Sequence, residues 1–266
     1  MMATPRANAT VEVDGLAIWY ETEGDGDPLV LLHGGLATNT TWNAQFAGFA
    51  PHRRVVAPER TAQGHTPDRQ GPLSYQGMAE ETIGFLDAMA LGPADLVGWS
   101  DGGMVGFLIA VQRPDLVRSL VLTGCGFSSE GYVPGGMEEL LALGPDDDDM
   151  VMFSAMYAAA SQDGPDHFPV VWEKIRAMWA EPFDWSADLE RIQAPVLVTL
   201  GDDDVITVEH GAELARRVPQ GQLAVIPGAS HLAPMEKPDL YNRLVLDFTA
   251  HPTADELMPW RRRPAT

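Results

Sequence analysis

The sequence predicts an α/β protein with a doubly wound, mostly parallel sheet and a helical lid inserted between two of its strands. Two observations predict this fold class. Short apolar runs, typical of strands buried on both faces, alternate with helix-like segments and are joined by short loops. The alternation stops at residue 128 and resumes at residue 194, with helix-like pieces between them. We therefore expect a core of residues 1–127 and 194–266 and a lid of residues 128–193.

The first part of the core reads as a hairpin followed by alternating strands and helices. Asp14-Gly15 is a hairpin turn signal between two strand-like runs. Ser74 is a suitable N-cap for a helix that Gly92-Pro93 would end. The predicted strands cover residues 10–13, 16–23, 29–32, 54–58, 95–99 and 118–123; the predicted helices cover residues 41–50, 74–91 and 104–112; residues 1–8 read as a loose tail.

The rest of the chain supplies the lid and the last strands of the sheet. The run of four aspartates at residues 146–149 is predicted to be a solvated helix start rather than a calcium site, because calcium needs a defined loop with carbonyl ligands. The predicted lid helices cover residues 137–143, 150–160 and 167–179; the core resumes with strands at 195–200 and 223–226, a loop at 228–231, helices at 209–218 and 238–249, and a basic tail at 251–266.

The composition argues against several kinds of partner. A formal net charge of -21 and a pI near 4.5 disfavour nucleic acid and anionic membrane surfaces, so we expect a small-molecule substrate. A single cysteine, Cys125, cannot form an internal disulfide, and the sequence suggests neither a signal peptide nor a membrane span. We therefore expect a cytoplasmic protein, monomeric or homodimeric, with no metal and no cofactor.

The central motif is a serine between two glycines, at a point where a predicted strand meets a predicted helix. Gly98 and Gly102 stand two residues before and after Ser100, where they allow a tight turn and tolerate backbone strain at the serine. Such a turn presents the hydroxyl at a helix N-terminus, whose positive end favours a developing negative charge. We therefore predict that Ser100 is a catalytic nucleophile.

A serine nucleophile needs a base, and the base needs an acid that orients it. Among seven histidines, His231 is the best base because it follows the last predicted strand by a short loop. His33 also follows a strand, but it precedes two glycines, a position better suited to an oxyanion loop. The acid should follow the preceding strand, where Asp202, Asp203 and Asp204 are all candidates.

These segments together resemble the α/β-hydrolase family of serine hydrolases. Four of them stand in the family's order: His33-Gly34-Gly35, Gly98-Trp99-Ser100-Asp101-Gly102-Gly103, Gly201-Asp202-Asp203-Asp204-Val205-Ile206 and Gly228-Ala229-Ser230-His231. The resemblance covers nearly everything outside the lid and tails, and the order Ser, Asp, His is the one this fold imposes. Family members commonly place the acid third after the glycine, which implies Asp204, with Asp203 as the alternative and Asp202 as a turn residue.

The oxyanion hole needs two backbone N–H groups. One is the amide of Asp101, the residue after the nucleophile. The resemblance implies Gly35 as the other, with Leu36 as the alternative. Residues 59–66 depart from the family pattern D-x-R-G-x-G-x-S, which predicts a different edge of the pocket and leaves the triad untouched.

The predicted reaction is acyl transfer through a covalent acyl-enzyme, with carboxylic esters or lactones of small apolar or aromatic molecules as substrates. Carbon–carbon, thioester or amide hydrolysis and acyl transfer by the same triad stay open, as does a ligand-binding protein of this fold without catalysis. We expect Trp99 and the lid residues Met152, Met156 and Trp172 to line the substrate pocket. Cys125 is predicted to be a packing residue.

Overall fold

An eight-stranded sheet lies at the centre of the computed structural model, which describes residues 4–253. Its strands are β1 (Ala7–Val13), β2 (Leu16–Glu23), β3 (Pro28–Leu32), β4 (Arg54–Pro58), β5 (Ala94–Trp99), β6 (Val117–Thr123), β7 (Val196–Asp203) and β8 (Gly221–Ser230). They lie in the order β1-β2-β4-β3-β5-β6-β7-β8. Only the β1–β2 and β2–β4 pairs are antiparallel, so the predicted mostly parallel sheet with an antiparallel hairpin at one edge is confirmed.

Helices cover both faces of this sheet. They are α1 (Asn43–Phe49), α2 (Tyr75–Ala88), α3 (Asp101–Gln112), α4 (Gly136–Ala142), α5 (Val151–Ala160), α6 (Phe168–Ala180), α7 (Val208–Arg217), α8 (Ala233–Glu236) and α9 (Pro238–Ala250). Helices α2, α3 and α7 contribute to the apolar layer on one face, and α1 and α9 to the layer on the other. Ser74 caps α2 by accepting a hydrogen bond from the Gly77 amide, as predicted. Among residues 4–253, no helix is both long enough and apolar enough to cross a membrane.

The central strands are continuous apolar runs because they contribute side chains to both layers. In β3, Leu29 and Leu31 pack in one layer, while Val30 and Leu32 pack in the other. All four side chains are fully buried. This anchoring places the carboxyl ends of β3, β5, β7 and β8 at one edge of the sheet, where the predicted functional residues meet.

The segment of residues 128–193, which we call the insertion, connects β6 to β7. In the described chain it contains α4, α5, α6 and several short 3-10 turns. In place of sheet strands it has two isolated bridges, one within the insertion (Ser128 with Asp184) and one from Tyr132 to Ile206 of the core. It has an apolar cluster of its own that also contacts Leu36 and Ala62 of the core. The helical content agrees with the sequence; that the insertion acts as a lid stays a prediction.

Two stretches differ from the predicted element bounds. Ala7 and Asn8, expected in a loose tail, belong to β1 because their backbones pair with Thr22 and Glu21 of β2. Residues 228–230, expected in a loop, extend β8, because a register shift lets Ser230 pair with Asp203 at the end of β7. Residues 254–266 of the predicted basic tail, and residues 1–3, lie outside the described residues.

Candidate active site

Ser100 stands in the strained turn between β5 and α3. Its φ of 55° and ψ of -123° lie outside the conformations that a non-glycine residue ordinarily adopts. A hydrogen bond of 2.8 Å from its amide to the Thr123 carbonyl holds the turn on β6. Side chains at Gly98 or Gly102 would collide with the backbone of the turn or of β3, so these positions require glycine.

His231 joins the serine to a buried carboxylate. Its Nε2 lies 3.0 Å from Ser100 Oγ, and its Nδ1 lies 2.7 Å from Asp204 Oδ1. The Asp204 side chain is fully buried and also accepts hydrogen bonds from the amides of Gly201 and Ile206. With Nδ1–H donating to the carboxylate, Nε2 is free to accept the serine proton.

The structure separates the three candidate aspartates. Asp204 is the one that contacts His231. Asp202 is exposed and accepts hydrogen bonds from the amides of Gly228 and Ala229, as expected for a turn-stabilising carboxylate. Asp203 is also exposed. A single β7–β8 junction therefore presents one carboxylate to the histidine and directs the other two to solvent.

Several groups that the sequence did not indicate hold His231 in place. The Trp99 indole N–H donates to the His231 carbonyl at 2.8 Å. Ser230 is bound through its amide and its hydroxyl to the Glu236 carboxylate, at 2.7 and 2.9 Å. A Cβ on Gly124 would lie 2.9 Å from His231 Nδ1, so this glycine leaves room for the imidazole.

The predicted oxyanion loop follows β3 and lies against the start of α3. A Cβ on Gly35 would lie 2.5 Å from Asp101 Oδ2, so the close approach requires glycine there. The Asp101 amide is in the first helical turn, where N–H groups lack intrahelical partners. Arg60 stabilises this loop with two hydrogen bonds. Its backbone amide donates to His33 Nε2, and its guanidinium donates to the Gly34 carbonyl at 3.0 Å.

The Asp101 carboxylate forms a second polar network beside the serine. It accepts hydrogen bonds from the Tyr75 hydroxyl at 2.8 Å and from the Trp179 indole N–H at 3.0 Å. Burial raises the pKa of Asp101, and the positive charge of Arg60 opposes that rise. Burial in turn lowers the pKa of Arg60 to about 10. Sequence reasoning missed these three neighbours of Asp101: Tyr75 and Trp179 stand in no motif, and Arg60 stands in a segment that departs from the family pattern.

A cavity of about 190 Å³ opens onto Ser100 and His231. Its wall is mostly apolar and includes side chains from both the core and the insertion. The apolar lining residues are Leu36, Trp99, Met104, Met137, Leu140, Met150, Phe153, Val205 and Leu232; the polar or ionisable ones are Ser100, Asp101, Cys125, Tyr132, Trp179 and His231. Trp99 thus lies where it was predicted.

The three insertion residues predicted to line the pocket lie outside it, and this part of the prediction is corrected. Met152 is 47% exposed on the outer surface of α5. The Met156 sulfur accepts a hydrogen bond from Thr40 Oγ. Trp172 is fully buried in the insertion's own apolar cluster. Because α5 and α6 carry apolar residues on more than one face, the sequence could not indicate which face meets the cavity.

Cys125, predicted to be a packing residue, is buried and also lines the cavity. A Cβ on Gly103 would lie 2.6 Å from its Sγ, so the thiol packs tightly on α3. Burial raises the pKa of the thiol, which keeps it protonated at neutral pH. Within residues 4–253, no cluster of three histidine, cysteine or carboxylate side chains is arranged to hold a metal ion.

Comparison with known proteins gives a match to one family and to several of its members. A model of the alpha/beta hydrolase family matches residues 29–244. The chain is similar to 2-hydroxy-6-oxo-2,4-heptadienoate hydrolase of Pseudomonas putida, with 30% identity over 249 residues that cover 85% of this chain and 90% of that protein.

Solved structures show the same likeness. A serine hydrolase involved in carbazole degradation has a TM-score of 0.76 and 27% identity, covering 92% of this chain and 99% of that one. An N-acyl homoserine lactone degrading enzyme has a TM-score of 0.73 and 25% identity, covering 90% of this chain and 100% of that one.

Proposed function

Because the chain belongs to the alpha/beta hydrolase family, we propose that it is a serine hydrolase that cleaves carboxylic ester or lactone bonds through an acyl-enzyme. The observation that carries the proposal is the continuous series of contacts from Ser100 through His231 to Asp204, at 3.0 and 2.7 Å. The mostly apolar wall of the adjoining cavity supports small apolar or aromatic substrates.

In the first half of the reaction, His231 Nε2 accepts the Ser100 proton as Oγ attacks the ester carbonyl carbon. The charge that develops on the carbonyl oxygen is stabilised by the amides of Gly35 and Asp101. The carbon–oxygen bond of the ester then breaks, and His231 gives the proton to the leaving alkoxide. Asp204 stays ionised, holds the imidazole in the required tautomer and stabilises its charged form.

In the second half, water attacks the acyl-enzyme carbonyl while His231 accepts one of its protons. The same two amides stabilise the second oxyanion. When this intermediate collapses, the carboxylic acid leaves and Ser100 regains its proton from His231. The reaction consumes one water and needs no redox partner.

A second candidate is carbon–carbon bond hydrolysis by the same triad, which the 30% identity to the heptadienoate hydrolase favours. The name of that relative's substrate describes a ketone carboxylate without an ester, so its hydrolysis breaks a carbon–carbon bond. Such an anion would meet the Asp101 carboxylate here, and none of the described cavity-lining residues is lysine or arginine. The charge of the cavity therefore favours an uncharged ester or lactone.

The experiment that tests the proposal compares wild type with Ser100→Ala. We expect wild type to react covalently with a fluorophosphonate probe and to hydrolyse p-nitrophenyl butyrate, and the variant to lose roughly 10⁴-fold or more in kcat/KM. Melting temperature serves as the control for folding. A folded Ser100→Ala protein with near-wild-type turnover would refute the mechanism, whereas labelling without turnover of any ester or lactone would favour the carbon–carbon reaction.

A further inference from the structure

Tyr132 places a hydroxyl at the cavity without a hydrogen-bond partner among residues 4–253. The residue belongs to the insertion, just after its first 3-10 turn. Its side chain lines the cavity together with Ser100 and His231. A donor in such a position is available to whatever fills the cavity.

The backbone around Tyr132 is held close to the triad acid. Tyr132 bridges Ile206 in antiparallel fashion, and the Val133 amide donates to the Val205 carbonyl at 2.9 Å. The Thr207 amide donates to the Gly131 carbonyl, also at 2.9 Å. Because these residues directly follow Asp204, the phenol has a defined position relative to the triad.

The electrostatic surroundings make this phenol a donor rather than a base. Burial raises the pKa of Tyr132, and the charge of the neighbouring Asp101 carboxylate raises it further. The hydroxyl therefore keeps its proton at neutral pH. Apart from the Cys125 thiol, a weak donor, the other polar groups of the wall already have partners: Asp101 with Tyr75 and Trp179, and His231 with Ser100.

We propose that the Tyr132 hydroxyl donates a hydrogen bond to a second, uncharged acceptor on the substrate, such as a ketone, ether or hydroxyl oxygen. This inference rests on the proposed ester or lactone hydrolysis and specifies its substrate class. The acceptor is a second one because the scissile carbonyl is bound by the amides of Gly35 and Asp101. It is uncharged because the described lining includes the Asp101 carboxylate and neither lysine nor arginine that could pair with an anion; Arg60 acts on Asp101 from outside the lining.

The physical basis is the cost of leaving a buried donor without a partner. An entirely apolar substrate that fills the cavity removes water from the Tyr132 hydroxyl and offers nothing in exchange. A substrate with an acceptor at that point replaces the lost water. A site with such a donor discriminates against analogues that lack the acceptor.

The test uses matched esters that differ only in the second acceptor. On the acyl side, p-nitrophenyl 4-oxopentanoate is compared with p-nitrophenyl pentanoate and with the anionic mono-p-nitrophenyl succinate. On the alcohol side, 2-butoxyethyl acetate is compared with heptyl acetate, in which a CH2 group replaces the ether oxygen. Each is measured as kcat/KM with wild type, Tyr132→Phe and the control Tyr20→Phe, since Tyr20 packs on Phe85 away from the cavity.

We expect Tyr132→Phe to lose about tenfold in kcat/KM for the acceptor-bearing ester of at least one pair, the size of one neutral hydrogen bond. The apolar ester of that pair should stay within about threefold, and the anion should react slowest with wild type. Tyr20→Phe should leave every ratio unchanged. Ratios within one variant do not depend on its folded fraction, so partial misfolding cannot imitate this result.

Equal losses for both esters of each pair, or no loss in either pair, would overturn the role of Tyr132. A succinate monoester that reacts as fast as the 4-oxopentanoate would overturn the requirement for an uncharged acceptor. Failure of wild type to hydrolyse any of the five esters would instead overturn the proposed function, and the inference with it.

Discussion

Replacing Asp204 by asparagine tests the least obvious assignment in the site. The carboxylate is fully buried and lies 2.7 Å from His231 Nδ1. An asparagine in the same place can direct its amide N–H toward Nδ1, which then has to act as the acceptor. The imidazole proton moves to Nε2, and His231 can no longer accept the proton of Ser100.

The expected loss is about 10⁴-fold in kcat, the size of a wrong-tautomer effect in such a triad. This corresponds to about 5 kcal/mol of transition-state stabilisation. Folding should survive, because asparagine keeps an oxygen for the Gly201 or Ile206 amide. The assay is p-nitrophenyl butyrate hydrolysis near neutral pH, with the melting temperature recorded for each variant.

Asp203→Asn and Asp202→Asn are the matched controls. Both side chains are exposed, and Asp202 accepts hydrogen bonds from the backbone amides of Gly228 and Ala229 in β8. We expect both variants to stay within about tenfold of wild type. A severe loss in Asp203→Asn, or near-wild-type activity in folded Asp204→Asn, would show that the 2.7 Å contact is not the one used in catalysis.

Two further predictions concern the cavity wall and pH. Phe153→Ala should change the ranking of short- and long-chain esters by about 1–3 kcal/mol in kcat/KM, since Phe153 lines the cavity. His210 accepts a hydrogen bond from the Phe127 amide at 3.1 Å, and burial lowers its pKa. Neutral His210 should therefore contribute fully to the free energy of unfolding above the pKa of about 6.5 that histidine has in the unfolded chain. That contribution should be lost as the pH falls through the lower pKa of the folded state. Urea unfolding measured at a series of pH values from 7 downwards should therefore show a smaller decrease in the free energy of unfolding for His210→Gln than for wild type.

Each of these predictions has its own control. Met152→Ala, on the exposed surface of α5, should leave the ranking of esters unchanged. If Met152→Ala changes the ranking of the esters by kcat/KM and Phe153→Ala does not, the residues that bind the acyl chain lie elsewhere. If the free energy of unfolding depends on pH in the same way in wild type and His210→Gln, groups other than this histidine cause the loss of stability at acidic pH.

Local patterns in the sequence were sufficient to predict the fold class. Continuous apolar runs predicted the parallel strands, because a strand buried on both faces needs an apolar residue at every position, as in β3. The glycines around Ser100 indicated the strained turn, because only glycine fits where backbones approach so closely. Those signals are short-range, so they can be read without knowing what packs against them.

The tertiary structure decided how side chains from distant elements meet. Asp101 contacts Tyr75 and Trp179, which are 26 and 78 residues away in the sequence, and no local pattern encodes either contact. The rotation of α5 determined that Phe153 rather than Met152 faces the cavity, since adjacent positions on a helix point about 100° apart.

The acid of the triad illustrates the same division. Three consecutive aspartates are chemically equivalent as a sequence, so their order alone could not select one of them; only the resemblance to a family favoured Asp204. In the structure, the register shift at the end of β7 turns Asp204 inward to His231 and leaves Asp202 and Asp203 exposed. Residue types and spacing thus determined which chemistry was available, whereas long-range packing decided which atoms are within reach of one another.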